Sequence, residues 1–317
     1  MQGGESGEVE ASPKRPLFGA TADELRAWVA ANGHKPYRVK QIQQWAFHRG
    51  PKSFADMSDL PLDLRKKLDA EWTLFATDLA YRGVADDGTD KLLLRCRDGR
   101  NIECVLMADG IRRTVCISTQ VGCGMGCVFC ASGLKGVERN LSAAEVFDQV
   151  LQAQQLLPPG ESVTHIVVMG MGESLANLEN LLVALDRVCS PDDGLGMSQR
   201  RVTISTVGLP EKIRKLAAKD RQYHLAVSLH APTEELRDEL VPVNEKIGLT
   251  AVLEAADDYF RITGRQVTYE YVMLGGLNDR PQHATALGRL LKGRKAHVNL
   301  IPYSPVAGLP FLRPEPE

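Results

Sequence analysis

Three cysteines, Cys123, Cys127 and Cys130, lie in the run Cys123-Gly124-Met125-Gly126-Cys127-Val128-Phe129-Cys130, spaced C-x3-C-x2-C. Three thiols in one glycine-rich turn cannot pair off as disulfides without leaving one over, so they read as ligands of a single centre. Thiolates are soft donors that select zinc, copper(I) or iron–sulfur clusters. A structural zinc would take a fourth protein ligand. A cubane held by three cysteines keeps one iron open to a small molecule, which makes it a reactive centre rather than a staple.

Other residues with chemical capacity sit where strands end. Gly170-Met171-Gly172-Glu173 combines a backbone that a ligand can approach closely with a carboxylate that can accept from an ammonium group. Taken alone, a histidine such as His230 at a strand end is more often a hydrogen-bonded structural residue, and Ser205 and Ser228 are common capping residues; their shared position is what singles them out. Cys116, ahead of the first cluster cysteine, reads equally as a fourth ligand, a buried apolar residue or a free reactive thiol. Glu103, near apolar Ile102 and Val105, is either a base whose pKa burial has raised or the solvent side of a hairpin.

The elements that must position these residues follow from periodicity. Residues 1–16 are rich in Gly, Glu, Ser and Pro and read as a disordered tail. Residues 17–75 form a small helical module: Leu25, Trp28 and Val29 make one stripe behind a Thr21–Glu24 capping box, Val39, Ile42, Trp45 and Ala46 a second, and Leu62, Leu64 and Leu68 a third. Between Lys35 and Trp72 eight Lys/Arg face five Asp/Glu, a modest excess that suits an RNA-facing surface or a solvated face. Residues 76–112 read as a β-hairpin linker turning at Asp98-Gly99.

From Arg113 to Pro305 strand and helix signals alternate. Strands are expected at Arg113–Ser118, Ile166–Met169, Arg201–Ser205, His224–Ser228, Gln266–Met273 and His297–Ile301. Helices begin at the Ser142–Glu145 capping box and run near Leu178–Val188, Pro210–Ala218, Thr233–Leu240, Thr250–Ile262 and Gln282–Leu291. Six strands joined by helices predict an α/β fold, a partial parallel (β/α)6 barrel, with its site at the carboxyl ends of the strands. Residues 306–317 form the tail.

The chain of 317 residues carries a net charge of −2, so any nucleic-acid surface must be local. Seven cysteines, an odd number in a long chain, suit a reducing compartment, and no apolar run reaches membrane-spanning length; the expectation is a cytoplasmic protein that contacts no membrane.

Taken together, Val115 to Cys123, Met169 to Glu173, Arg201 to Thr206, Ser228 to Pro232, Glu270 to Leu274 and Asn299 to Pro302 resemble the radical S-adenosylmethionine (SAM) superfamily. More closely, they resemble its dual-specificity rRNA and tRNA adenine-C2 methyltransferases, the RlmN family. The resemblance runs from about Leu17 to Pro305. It implies that Cys123, Cys127 and Cys130 hold a [4Fe-4S] cluster and that Gly172, Glu173, Ser205, Ser228, Leu229, His230 and Ser304 line the SAM site. It also implies Cys116 as the thiol that resolves a covalent adduct and Glu103 as proton acceptor. The implied reaction uses a 5'-deoxyadenosyl radical and a methyl-cysteine intermediate to methylate adenine C2 of 23S rRNA and tRNA. The implied partners are RNA, held in part by the helical module, and an electron donor such as flavodoxin, with the protein a monomer.

Three departures from the family pattern stand out: Ser174 where proline is usual, Ser304 where asparagine is frequent, and no cysteine after Cys189. The family's methyl-carrying cysteine lies near its C-terminus, so the expectation is a truncated or partial member that cleaves SAM without methylating adenine. Two other readings compete: a non-catalytic RNA-binding protein whose three cysteines and Cys116 hold zinc, and a radical SAM enzyme acting on a small molecule.

Overall fold

The computed structural model describes residues 14–315; the first thirteen residues of the expected tail, and Pro316 and Glu317, lie outside the described residues. The chain divides into two compact units, Met1–Ala76 and Thr77–Glu317.

In the first unit, strand β1 (Arg15–Pro16) pairs in parallel with β2 (Trp72–Thr73), so the end of the expected tail is ordered by backbone pairing. Helix α1 (Ala22–Ala31) starts at the Thr21 cap, where the hydroxyl accepts from Glu24 N–H and the Glu24 carboxylate accepts from Thr21 N–H. This reciprocal box satisfies two of the amide donors a helix start leaves open. Helices α2 (Arg38–Gln44) and α3 (Leu62–Glu71) complete the module around buried Val29, Ile42, Leu64 and Leu68. Leu62 departs from its expected stripe: at the first turn of α3 it is 59 % exposed, and Leu64 and Leu68 alone bury that face.

The second unit is built on one nine-stranded sheet. Strands β3 (Thr77–Val84), β4 (Asp90–Cys96) and β5 (Asn101–Asp109) run antiparallel and join β6 (Arg112–Cys116). A separate hairpin follows, β7 (Gln120–Gly122) with β8 (Val137–Asn140). Helix α4 (Ala143–Gln154) then leads to β9 (His165–Val168), α5 (Leu178–Cys189), β10 (Val202–Thr206), α6 (Pro210–Ala217) and β11 (His224–Ser228). Next come α7 (Glu234–Leu240), α8 (Asn244–Ile247), α9 (Leu249–Thr263), β12 (Val267–Met273), α10 (Pro281–Leu290) and β13 (Ala296–Pro302).

Strand order is β13-β12-β11-β10-β9-β6-β5-β4-β3, with β6 and β9 to β13 all parallel. This is the partial (β/α)6 barrel, with edges at β13 and β3. The hairpin expected as a linker continues the barrel sheet as β4 and β5, and β3, which no sequence signal marked, extends it further.

Register explains the alternation within the parallel strands. Val115, Ile166 and Val202 share a fully buried row, and Val168, Ile204, Leu225 and Val267 share another, both against the helices. The opposite face carries Ser205, Ala226, Thr268 and His297 in one row and Ser228, Glu270 and Asn299 in the next. Parallel strands covered on both faces are apolar throughout. Here the inner face is polar and partly accessible, the composition of a surface that lines a site.

Candidate active site at the carboxyl ends of the strands

The cysteine loop hangs from the β7–β8 hairpin. Cys123 N–H donates to Gly136 O at 3.0 Å across its base. Gly122 has φ of 76°, and a Cβ there would stand 2.1 Å from the Gly136 carbonyl oxygen, so no other residue fits. Arg139 of β8 fixes the hairpin from outside, reaching Asp98 at 2.6 Å and both Glu145 oxygens at 2.8 and 2.9 Å. Its guanidinium holds the Asp98 carboxyl at about 2.

The far side of the loop is seated on the barrel. Val128 N–H donates to Leu240 O at 3.1 Å. Phe129 is buried among Val207, Ala231, Leu240, Val241, Leu274 and Tyr303, with Cys127 and Cys130 packed against the same cluster. An apolar side chain in the cysteine loop thus anchors it over the ends of β10 to β13.

The three sulfurs share one environment. Burial raises the Cys123 thiol, opposed by backbone N–H donors from Met125 and Gly172, with the Cys130 thiol adding to the rise. Burial pushes Cys127 to about 12, with Cys130 and Cys123 adding and Arg237 opposing. The thiols therefore lie within electrostatic reach of one another. Three thiols in one loop, one already receiving two amide donors, fit a polynuclear cluster, whose sulfurs take such hydrogen bonds. Cys116 does not join them as a fourth ligand: on β6 it pairs with Val105, its sulfur accepts from Met169 N–H, and the thiol it influences is Cys104.

Gly172 touches the loop directly through Cys123. Its φ of 101° and the 2.6 Å that would separate its Cβ from Gln120 leave room for glycine alone; Gly170 is equally confined by Ile117 and Ser118. Glu173 is buried, and its two oxygens accept from Leu175 N–H at 2.9 Å and Val207 N–H at 2.8 Å. Burial raises its carboxyl against those donors and the Thr206 hydroxyl. Its carboxylate thus ties the end of β9 to the end of β10, and only its second lone pairs remain for a ligand.

Ser205 and Ser228 meet across β10 and β11, with hydroxyls 3.5 Å apart. Leu229 is fully buried. His230 follows with φ of 60°, a left-handed conformation that turns its ring edge-on to Phe129 at 4.9 Å. Its Nδ1 accepts from Val272 N–H at 3.1 Å, which leaves the ring proton of the neutral imidazole on Nε2 as a donor. Burial, with Arg237 nearby, holds His230 at about 3, so it stays uncharged. Ser304 is exposed beyond β13, past Tyr303, whose N–H donates to Met273 O.

Glu103 and Cys116 lie on neighbouring strands, Glu103 two positions from the partner of Cys116. The Glu103 side chain is 44 % exposed and pairs with Lys91 at 2.9 Å, the solvent side of the hairpin rather than a buried base. Cys116 is a protonated thiol, burial having pushed it up to about 11.

Two features escaped the sequence reading. Arg237, in the charged helix Glu234-Glu235-Leu236-Arg237-Asp238-Glu239-Leu240, reads as surface, yet it is 0 % exposed. It donates to Val207 O at 2.5 Å, Leu229 O and Ser228 O each at 3.2 Å, and Asn244 Oδ1, clamping the ends of β10 and β11 together. Nothing in helical periodicity marks it. Glu270 and Asn299, bonded at 2.7 Å, face the interior in the row of Ser228; a carboxylate between two strand tyrosines was the available signal.

Comparison with known proteins agrees with this architecture. Residues 16–74 match the ribosomal RNA large subunit methyltransferase N-terminal domain, and residues 117–287 match the radical SAM superfamily. A probable dual-specificity RNA methyltransferase RlmN of Rhodopirellula baltica is 54% identical, over 95% of this chain and 81% of its own length. A relative of the same description from Thermosynechococcus vestitus is 45% identical, over 94% and 87%. The crystal structure of a radical SAM methyltransferase from Sphaerobacter thermophilus superposes with a TM-score of 0.90 at 41% identity, covering 95% of this chain and 89% of that one. A radical SAM domain that carries this three-thiol loop implies a [4Fe-4S] cluster and SAM, which replaces the zinc-binder alternative. The chain is an enzyme and belongs to the RlmN family of the radical SAM superfamily.

Proposed function

We propose that this enzyme methylates C2 of adenine in RNA, with 23S rRNA and tRNA as substrates. The observation that carries the reading is the contact of the cysteine loop with both walls of the mouth: Gly172 N–H on the Cys123 sulfur, and His230 against Phe129. Cys123, Cys127 and Cys130 hold the cluster, and Gly172, Glu173, Ser205, Ser228, Leu229, His230 and Ser304 form the SAM wall. Bound there, the cluster and SAM supply homolytic cleavage, a radical route suited to an electron-poor carbon that ordinary methyl transfer does not reach.

The chain's own residues bind and orient. The neutral His230 offers an Nε2–H donor, and the Ser205 and Ser228 hydroxyls offer donors and acceptors in adjacent inner rows. Phe129 and its apolar neighbours exclude water from one side of the cysteines. Cys116, a thiol at neutral pH, serves as the resolving thiol once deprotonated, and Glu103 serves as the proton acceptor after release from Lys91. A flavodoxin-like protein supplies electrons to the monomer.

Anaerobic reconstitution tests the first half: about four iron and four sulfide per chain, and 5'-deoxyadenosine from SAM on reduction, both abolished by Cys127→Ala. The gene encoding this chain, expressed in a host whose RNA lacks 2-methyladenosine, tests the second half. With a methyl-carrying cysteine supplied, nucleoside mass spectrometry should find 2-methyladenosine, whereas residues 1–317 alone should form 5'-deoxyadenosine and leave adenine C2 unmethylated; methylation at another position would overturn the adenine-C2 reading.

A further inference from the structure

The parallel strands begin as consistently as they end. Arg112 opens β6, His165 opens β9, Arg200 and Arg201 precede β10, His224 opens β11, Arg265 stands just ahead of β12, and Lys295 just ahead of β13. Because the six strands are parallel and adjacent, these residues converge at the amino-terminal mouth of the barrel, opposite the cysteines.

The positions interact. Burial depresses His165, and Arg112 and Arg201 depress it further; burial and Arg265 do the same to His224. Arg265 donates to His224 Nε2 at 2.5 Å, and its own buried Nε has no hydrogen-bond partner. Arg112 turns along its strand to Thr114 Oγ1 at 3.2 Å. Neighbouring Arg113 is neutralised by Glu161 at 2.6 Å, whereas among the described residues Arg112, Arg200, Arg201, Arg265 and Lys295 make no ion pair. In a chain whose net charge is −2, unpaired cations gathered at one mouth make a local anion site.

We propose that this mouth binds the phosphodiester backbone of the RNA substrate, holding a segment of the strand away from the nucleotide that enters the carboxyl mouth. The proposal rests on the RNA-methyltransferase reading above. The strands between the mouths are four to seven residues long, roughly 13–23 Å at about 3.3 Å per residue, a span that a few extended nucleotides cover. The sheet's two edges, β13 and β3, are not paired with each other, so the RNA passes from mouth to mouth along that open side.

The test measures binding of a labelled RNA stem-loop to the full, cluster-loaded chain by anisotropy over a salt series. Arg112→Gln, Arg201→Gln and Arg265→Gln are made singly and together, with Arg214→Gln, a surface residue paired to Asp258, as a control of equal charge change. With a salt slope of about 0.7–0.9 per phosphate contact, each lost contact weakens binding on the order of fivefold at 0.15 M salt. The triple variant should bind about 100-fold more weakly with a slope smaller by about two to three, while the control changes less than twofold and SAM cleavage without RNA is unchanged. If the triple variant fails to fold, exposed Arg201→Gln alone should still show its fivefold loss. Wild-type affinity and slope in the variants overturn the inference while leaving the RNA reading intact. Absence of RNA binding by the wild type overturns both.

Discussion

Replacing Arg237 with alanine removes a buried cation that four acceptors surround. The Val207 and Leu229 carbonyls lose their guanidinium donor at about 1–3 kcal/mol each, and Asn244, whose amide already serves Glu234 and Asp238, loses the donor to its oxygen. The cost is roughly 3–5 kcal/mol, the range for breaking one side of a buried charged network. At about 2–4 °C per kcal/mol for a unit of this size, melting should fall by about 10 °C. Because the clamp joins Val207, Ser228 and Leu229 beneath the cysteine loop, iron content after reconstitution should fall with it. Arg237→Lys keeps the charge but loses the planar fork, and should recover part of both losses. The assay is thermal denaturation of the apoprotein together with iron analysis, with surface Arg214→Ala as the control expected within about 1 kcal/mol of wild type. An Arg237→Ala protein that melts within about 2 °C of wild type and loads iron normally would refute the reasoning.

Gly122→Ala drives a Cβ into Gly136 O and should abolish iron loading, whereas Gly126→Ala, with φ of 72° but nothing within 4 Å, costs about 1 kcal/mol and keeps it; equal iron content in the two proteins would count against the hairpin-base argument. Glu173→Gln must turn its amide toward Leu175 or Val207 N–H, leaving one donor unpaired, so urea denaturation should show a loss of about 2 kcal/mol, and no loss would mean the carboxylate does not tie β9 to β10. His230 has a folded pKa of about 3, below its unfolded 6.5, so the unfolded chain binds the extra proton between those values. Its contribution is present above pH 6.5 and is lost as pH falls toward 3, at up to about 1.4 kcal/mol per pH unit. His230→Asn retains an acceptor for Val272 N–H and tolerates the left-handed backbone, so its stability should fall less steeply with acid; parallel curves would show that His230 titrates normally.

The cysteine spacing, both capping boxes and the six alternating strands were legible because each depends on neighbours within a few residues. Ser142 meets Glu145 and Thr21 meets Glu24 because a helix start places them together. The β7–β8 hairpin was not legible: its strands are three and four residues long and flank a loop held by Phe129 and Arg139, which act at long range. Arg237 was hidden because charged neighbours on its helix mask a burial that only the ends of β10 and β11 create.

The sequence by itself determined which donors this protein carries and the order of strands that brings them to one mouth, since thiol chemistry and hydrophobic period are local properties. Tertiary structure alone decided the protonation and tautomer of His230, the commitment of Glu173 to amides at Leu175 and Val207, and the placing of Glu103 on the solvent side. It also separated Cys116 from the cluster thiols and gathered unpaired cations at the opposite mouth. These depend on burial and on partners distant in the chain, and desolvation and hydrogen bonding act on whatever the fold brings near.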